Sequence, residues 1–398
     1  MTAELMAQAD QVMARTYTRF PLVFSKGQGS TLFDSSGRSY LDFVAGIAVC
    51  NLGHAHPKLS RALADQAGSL WHVSNLYYTI PQIELADWLV KHSFADRVFF
   101  GNSGAEANEA AIKLVRKYFN KRNEAGRFRI ITMERSFHGR TMATLSATGQ
   151  DKIKKGFDPV LDGFDYVPFN DAAALRSRIN SDTCAVLIEP VQGEGGVRCP
   201  DADYLRAVRE ICDETGVLLM FDEIQTGMGR TGRLFAYEHF GIEPDVMTLA
   251  KALANGLPIG AMLAREKIAA AFNAGSHAST FGGTPIVTSV AVQVCRMLVD
   301  EGVLENASAM GQYFKDGLLD LKARHAVVED VRGIGLLLGM KLNIEGASLV
   351  KECMQRGFLI NCIQDNILRF VPPLIITQEE IDRLLQCLDE VLDKPQVT

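Results

Sequence analysis

One lysine, Lys251, stands in the apolar stretch LAKALANGLPIG (249–260), and its nearest charged neighbours along the chain are Asp245 and Arg265. A cation placed this way is costly unless it is paired or its pKa falls. An amine with a lowered pKa is a nucleophile that can form a Schiff base. The same residue also reads as a lysine between two strands, with its stem buried and its ammonium in water.

Other segments hold residues of complementary chemistry. LLMFDEIQTGMGRTG (218–232) ends an apolar run in Asp222 and Glu223. A buried acid at such a strand end can keep a heteroaromatic nitrogen protonated, or it can cap the following turn. No His or Cys nearby completes a metal set around the two acids. FFGNSGAEANEAAIKLVRKYF (99–119) reads as strand, small-residue turn and helix. Ser103, Gly104 and Ala105 would sit at the helix start, where free amides and the helix dipole attract anions. Ser103 with Glu106 also fits a capping box, which draws on the same donors.

SFHGRT (136–141) brings Phe137, His138 and Arg140 to the end of another strand. The ring could stack on a flat ligand, and the guanidinium could grip a carboxylate with two bonds. EPVQGEGG (189–196) carries Glu194 in a Gly-rich loop, and ILRFVPP (367–373) buries Arg369 in an apolar run. An arginine there needs an acid or a substrate carboxylate. LGHAHP (52–57) holds His54 and His56, too few ligands for a metal, and its proline reads as a helix start. We expect no metal site.

The elements that must position these residues form an α/β pattern. Helices alternate with apolar runs that end in polar residues: RVFFGNSG, FRIITMER, CAVLIEP, GVLLMFDE, DVMTLAK and GAMLARE. Buried strands of this kind describe a mostly parallel sheet with helices on both faces, and ligands gather at the strands' carboxyl ends. LFDSSGRSYLDF (32–43) reads as a hairpin turning at Ser35, Ser36 and Gly37, and the first twenty residues as an amphipathic helix. Beyond about residue 285 come two long helices (286–300 and 303–324), two strands and a last helix near 378–393. We expect an N-terminal segment (1–56) that belongs to a small domain, a large α/β domain (57–284) and a small α+β domain (285–398).

The chain has 398 residues, of which 47% are hydrophobic and 22% charged, with a net charge of −6. That balance suits a globular protein with a large core and gives no reason to expect nucleic acid or an acidic membrane surface. No apolar run approaches the ~18–20 residues of a membrane span. The eight cysteines are scattered without a C-x-x-C pair, which fits reduced thiols in a cytoplasmic protein.

In order along the chain, NSGAEANEAAIKLVR, FHGRT, EPVQGEGG, FDEIQTGMGRTG, LAKALANGLPIGA, STFGGTP and LRFVPP resemble the class III pyridoxal-phosphate aminotransferases. The likeness runs from about Thr16 to residue 390 and implies the type I fold of pyridoxal-phosphate enzymes. It implies that Lys251 is the Schiff-base lysine and the proton carrier. Asp222 would pair with the ring nitrogen, Gln225 with the ring hydroxyl oxygen, and Phe137 would stack on the ring. Ser103, Gly104 and Ala105 would hold the phosphate from one subunit. Thr280 would reach the phosphate of the other, so the resemblance implies a homodimer with shared active sites.

LWHVSN (70–75), GIAVCNLGHAHP (46–57) and RGIGLLLGMKL (332–342) point within the family to N2-acetyl-L-ornithine as δ-amino donor and 2-oxoglutarate as acceptor, a step of arginine biosynthesis. Ile47 and His138 stand where ornithine-using members usually carry Tyr and Trp. By the same resemblance Arg369 would bind glutamate's α-carboxylate and turn to Glu194 when the ω-amine is bound. Arg140 would hold the distal carboxylate of either substrate. Succinylornithine, succinyl-diaminopimelate, ornithine and 4-aminobutyrate are the alternative donors. An aminomutase and a non-catalytic binding protein are the alternative classes.

Overall fold

The computed structural model describes residues 2–393. Seven strands form the central sheet, in the spatial order Arg97–Gly101, Gly260–Ala264, Val246–Leu249, Leu218–Asp222, Thr183–Ile188, Arg129–Met133 and Phe164–Val167. The last five pair in parallel, while Gly260–Ala264 runs antiparallel to both of its neighbours. The reversal has a local cause. Only residues 250–259 separate Val246–Leu249 from Gly260–Ala264, and a single 3-10 turn, Lys251–Ala254, occupies part of that span. A parallel return needs a crossover of a dozen or more residues. The chain therefore turns back at once and leaves Lys251 at the carboxyl edge of the sheet. The edge strand Phe164–Val167 was not among the runs read from the sequence: FDYV is four residues long and mixes one exposed with three buried positions.

The helix Gly104–Lys121 buries an apolar stripe against this sheet. Tyr204–Thr215 does the same and ends on Gly216 in the left-handed conformation. Pro285–Asp300 packs on Pro57–Ala67, on Ile80–Lys91 and on the turn that carries Lys251. Pro57 is the first residue of its helix, as its sequence context suggests.

The N-terminal and C-terminal segments share a sheet. The hairpin Thr31–Asp34 with Ser39–Asp42 gains Phe358–Leu359 as a parallel partner of Ser39–Asp42. A second, antiparallel sheet has the order Val328–Ile334, Leu337–Leu342, Ile367–Phe370 and Asn361–Ile363, and it carries Arg369. The helix Thr2–Val12 forms with no buried residue. No helix among the described residues is long and apolar enough to cross a membrane.

Within the N-terminal segment, His54 fastens the end of the strand Ser39–Asp42. Its Nε2 lies 2.7 Å from Asp42 Oδ2, while Asp42 Oδ1 accepts the amides of Val44 and Ala45 at 2.8 and 2.9 Å. The hydrogen bond to Asp42 raises the imidazole to about 9. A histidine raised above its unfolded value of about 6.5 stabilises fully below that value and ceases to do so as pH rises through 9. We predict that His54→Gln is less stable than the wild type at about pH 6 and that the gap in denaturation midpoint closes by about pH 10. A gap independent of pH would contradict this.

Candidate active site

A cavity of about 420 Å³ opens at the carboxyl ends of the parallel strands. Ser103, Gly104, Ala105, Phe137, Arg140, Asp222, Gln225 and Lys251 all line it. Residues far apart in sequence meet there because each follows a strand of the same sheet.

Lys251 opens its 3-10 turn with φ +42°, a left-handed conformation that side chains other than glycine rarely adopt. Asn255, also left-handed at φ +49°, ends that turn. Its amide accepts from Leu52 N at 2.8 Å and donates to Gly53 O at 3.0 Å, which pins the turn to the N-terminal segment. Burial lowers the Lys251 ammonium below the ordinary lysine range. Glu194 opposes this, Arg369 adds to it, and Asp222 and Glu189 oppose it again. Of the two sequence readings, the structure supports a desolvated amine facing a cavity.

Asp222 ends its strand almost fully buried. Its Oδ2 meets His138 Nδ1 at 2.7 Å and accepts Asn108 Nδ2 at 2.8 Å. Its Oδ1 accepts Ile224 N at 3.1 Å. Asn108 is itself fixed: Thr248 Oγ1 donates to its Oδ1 at 2.8 Å, and its Nδ2 also reaches His138 O at 2.8 Å. The adjacent acid, Glu223, turns away and accepts the amides of Ala236 and Tyr237 at 2.7 and 2.9 Å. Of the pair, Asp222 faces the cavity and Glu223 holds a loop.

At the opposite side, Ser103 caps Gly104–Lys121 by accepting Glu106 N at 3.2 Å, and Glu106 reaches back to Asn102. The first-turn amides of Gly104 and Ala105 have no helical partner and border the cavity. The loop that bears Phe137 and Arg140 lies against this helix start. A Cβ on Gly139 would come within 2.9 Å of Ala105 Cβ and 2.5 Å of Thr144 Oγ1, so the approach requires glycine. Phe137 and Arg140 also line a second cavity of about 450 Å³ together with Glu194.

Arg369 is wholly buried, and its Nη1 pairs with Glu194 Oε1. The same nitrogen lies 3.4 Å from Gln225 Oε1, and Nε lies 3.3 Å from Asn361 Oδ1. Burial pushes the Glu194 carboxyl upward, but the Arg369 and Lys251 charges overcome that and leave it below its ordinary value. Thr280 does not join the site. It is exposed, in a shallow pocket with His72, Asn75 and Thr284.

Sequence reasoning gave no role to Asn108, Thr248 or Glu189. Asn108 left a signal as a polar residue on the buried face of an alanine-rich helix. Glu189 left another, an acid that closes CAVLI as Asp222 closes LLMF.

The Aminotransferase class-III family matches residues 12–392. The chain belongs to that family. Two class-III relatives, both acetylornithine aminotransferases, come from Caldanaerobacter subterraneus subsp. tengcongensis and Methanocaldococcus jannaschii. The first is 51% identical over 95% of this chain and 96% of the relative. The second is 52% identical over 94% of each. Among solved structures, the N-acetylornithine aminotransferase from Stenotrophomonas maltophilia is 40% identical, with a TM-score of 0.84 over 97% of this chain and 98% of that one. The ornithine aminotransferase from Toxoplasma gondii is 32% identical, with a TM-score of 0.95 over 98% and 95%.

Class-III aminotransferases use pyridoxal 5'-phosphate. The cavity fits that group. It offers an amine with lowered pKa, a carboxylate fixed on three sides, an aromatic ring, and unpaired helix amides for a phosphate. Asn108→Ala would leave the Thr248 hydroxyl without its acceptor and Asp222 with one side-chain donor fewer. We predict a loss of about 1–3 kcal/mol in stability and weaker cofactor retention, checked by thermal unfolding and cofactor titration. Unchanged values of both would show that Asn108 does not hold Asp222.

Proposed function

We propose that this class-III aminotransferase moves the δ-amino group of N2-acetyl-L-ornithine to 2-oxoglutarate, giving N-acetyl-L-glutamate 5-semialdehyde and L-glutamate. The observation that carries the reading is the pairing of wholly buried Arg369 with partly buried Glu194 beside Gln225. Glutamate has a carboxylate on its reacting carbon, whereas the δ-carbon of acetylornithine has none. A site that serves both needs a cation for one half-reaction and an internal anion that neutralises it in the other. Neither state then leaves a bare buried charge. The near-full-length likeness to acetylornithine aminotransferases supports the same donor.

In this reading pyridoxal 5'-phosphate supplies a carbonyl carbon for amine exchange and a ring that accepts electrons from the reacting carbon. Lys251 Nζ, with its lowered pKa, takes the proton from that carbon and returns it on the far side of the exchange. Asp222, oriented by His138 and Asn108, keeps a proton on the ring nitrogen. Gln225 would orient the ring oxygen, Phe137 would stack on the ring, and the amides of Gly104 and Ala105 with Ser103 would hold the phosphate. Arg140, with no carboxylate partner among the described residues and its guanidinium 5.6 Å from the Phe137 ring centroid, grips the distal carboxylate of either substrate.

Thr280 would serve a neighbouring subunit. Phe281, next to it in sequence, and Trp71, Tyr77, Tyr78 and Ile80, in the segment whose His72 and Asn75 share its pocket, are large apolar residues left exposed in the single chain. Exposed apolar residues gathered in these two segments support a second copy covering them. The cytoplasm is the compartment that suits eight free cysteines. An aminomutase would not need the Arg369–Glu194 exchange, which favours the transaminase.

Arg369→Ala separates the two half-reactions. We expect the glutamate half-reaction to slow by about a hundredfold or more and the acetylornithine half-reaction by under about tenfold, followed as single turnovers. Equal losses would sink the exchange.

A further inference from the structure

Glu189 lies one residue beyond Thr183–Ile188, is buried, and borders the cavity without facing a proposed substrate group. Its two carboxylate oxygens accept from two different loops: Oε2 takes Phe137 N at 3.0 Å, and Oε1 takes Gly193 N at 3.2 Å. The first loop presents the Phe137 ring. The second leads directly to Glu194, the partner of Arg369. Gly193 also lies flat on Gln225, since a Cβ there would meet the Gln225 amide group at 2.5 Å. One side chain thus touches the backbone of both walls.

We infer that Glu189 is a positioning residue of the proposed reaction: its carboxylate fastens the Phe137 loop to the Glu194 loop and fixes the ring-facing wall relative to the Arg369–Glu194 pair. The inference rests on the roles given above to Phe137 and to that pair. Only an ionised carboxylate does this fully. Protonation turns one oxygen into a hydroxyl, a donor and a weaker acceptor, so the hold on one of the two loops weakens.

The surroundings bring that event close to neutrality. Burial raises the Glu189 carboxyl to about 7, the nearby His138 pulls it down, and the Asp222 charge pushes it up. The Lys251 charge also faces it, and the amides of Phe137 and Gly193 favour the ionised form. An acid raised in this way is ionised above about pH 7 and protonated below it. Both loops are therefore held on the alkaline side.

Backbone hydrogen exchange on the cofactor-loaded wild type, corrected for intrinsic rates, tests the brace without any substrate. Protection of the Phe137 and Gly193 amides should fall by about threefold or more between pH ~8 and pH ~6, while the central strands stay protected. Glu189→Gln, which keeps the size but leaves one acceptor oxygen and sets its NH2 against the other amide N–H, should lack that protection at one of the two amides at both pH values. It should keep its cofactor absorbance and slow both half-reactions about tenfold or more at saturating donor, with KM changed less than about threefold. Wild-type protection independent of pH would overturn the inference, as would rates within about twofold of wild type in the variant. If Glu189→Gln does not fold, the wild-type exchange decides. A chain that proved to use another amine donor would leave the exchange result intact, so the two failures are distinguishable.

Discussion

The ammonium of Lys251 has to be taken out of water, and most of the site follows from that cost. A desolvated amine in an apolar turn loses proton affinity. It stays usable only if acids face it at a distance and none pairs with it directly. Glu194, Asp222 and Glu189 supply those acids, and Arg369 keeps Glu194 from capturing the lysine. The left-handed backbone at Lys251 is held by Asn255 against the N-terminal segment, so a local strain is sustained by contacts from the other end of the chain.

Charge in the cavity is divided between groups that are already paired and groups left open for a ligand. Asp222 gives one oxygen to His138 and Asn108 and keeps its other oxygen near the cavity, bonded only to Ile224 N among the described residues. Arg369 pairs with Glu194, and in the proposed reaction it would exchange that partner for a substrate carboxylate. Arg140 has no carboxylate partner among the described residues and leans on the Phe137 ring. A buried ion pair of this kind contributes little to stability, and losing one partner is costly. Its presence is better explained by exchange with a ligand than by folding.

Much of this was legible in the sequence because apolar strands that end in polar residues mark the ligand edge of a sheet. Lys251, Asp222, Phe137 and the Ser103 turn could each be read that way, and the structure brings them to one cavity. The Arg369–Glu194 contact joins residues 175 positions apart and came from resemblance, because no local pattern encodes it. Asn108 and Glu189 escaped notice because their partners are backbone amides and side chains that only the tertiary fold brings near. The antiparallel strand Gly260–Ala264 was hidden for a related reason. Its apolar run looks like those of the parallel strands, and only the short connection through Lys251 betrays its direction.

Fold alone does not choose the substrate. The Toxoplasma ornithine aminotransferase superposes with a TM-score of 0.95 at 32% identity, and the Stenotrophomonas N-acetylornithine enzyme with 0.84 at 40%. Residues at the pocket have to make that choice. The deciding measurement follows the visible absorbance of the cofactor-loaded protein after single amine donors are added with no keto acid present. We expect N2-acetylornithine to convert the cofactor at least about tenfold faster than ornithine or 4-aminobutyrate. Fastest conversion by ornithine or 4-aminobutyrate would leave Lys251 and the fold standing and contradict the proposed donor.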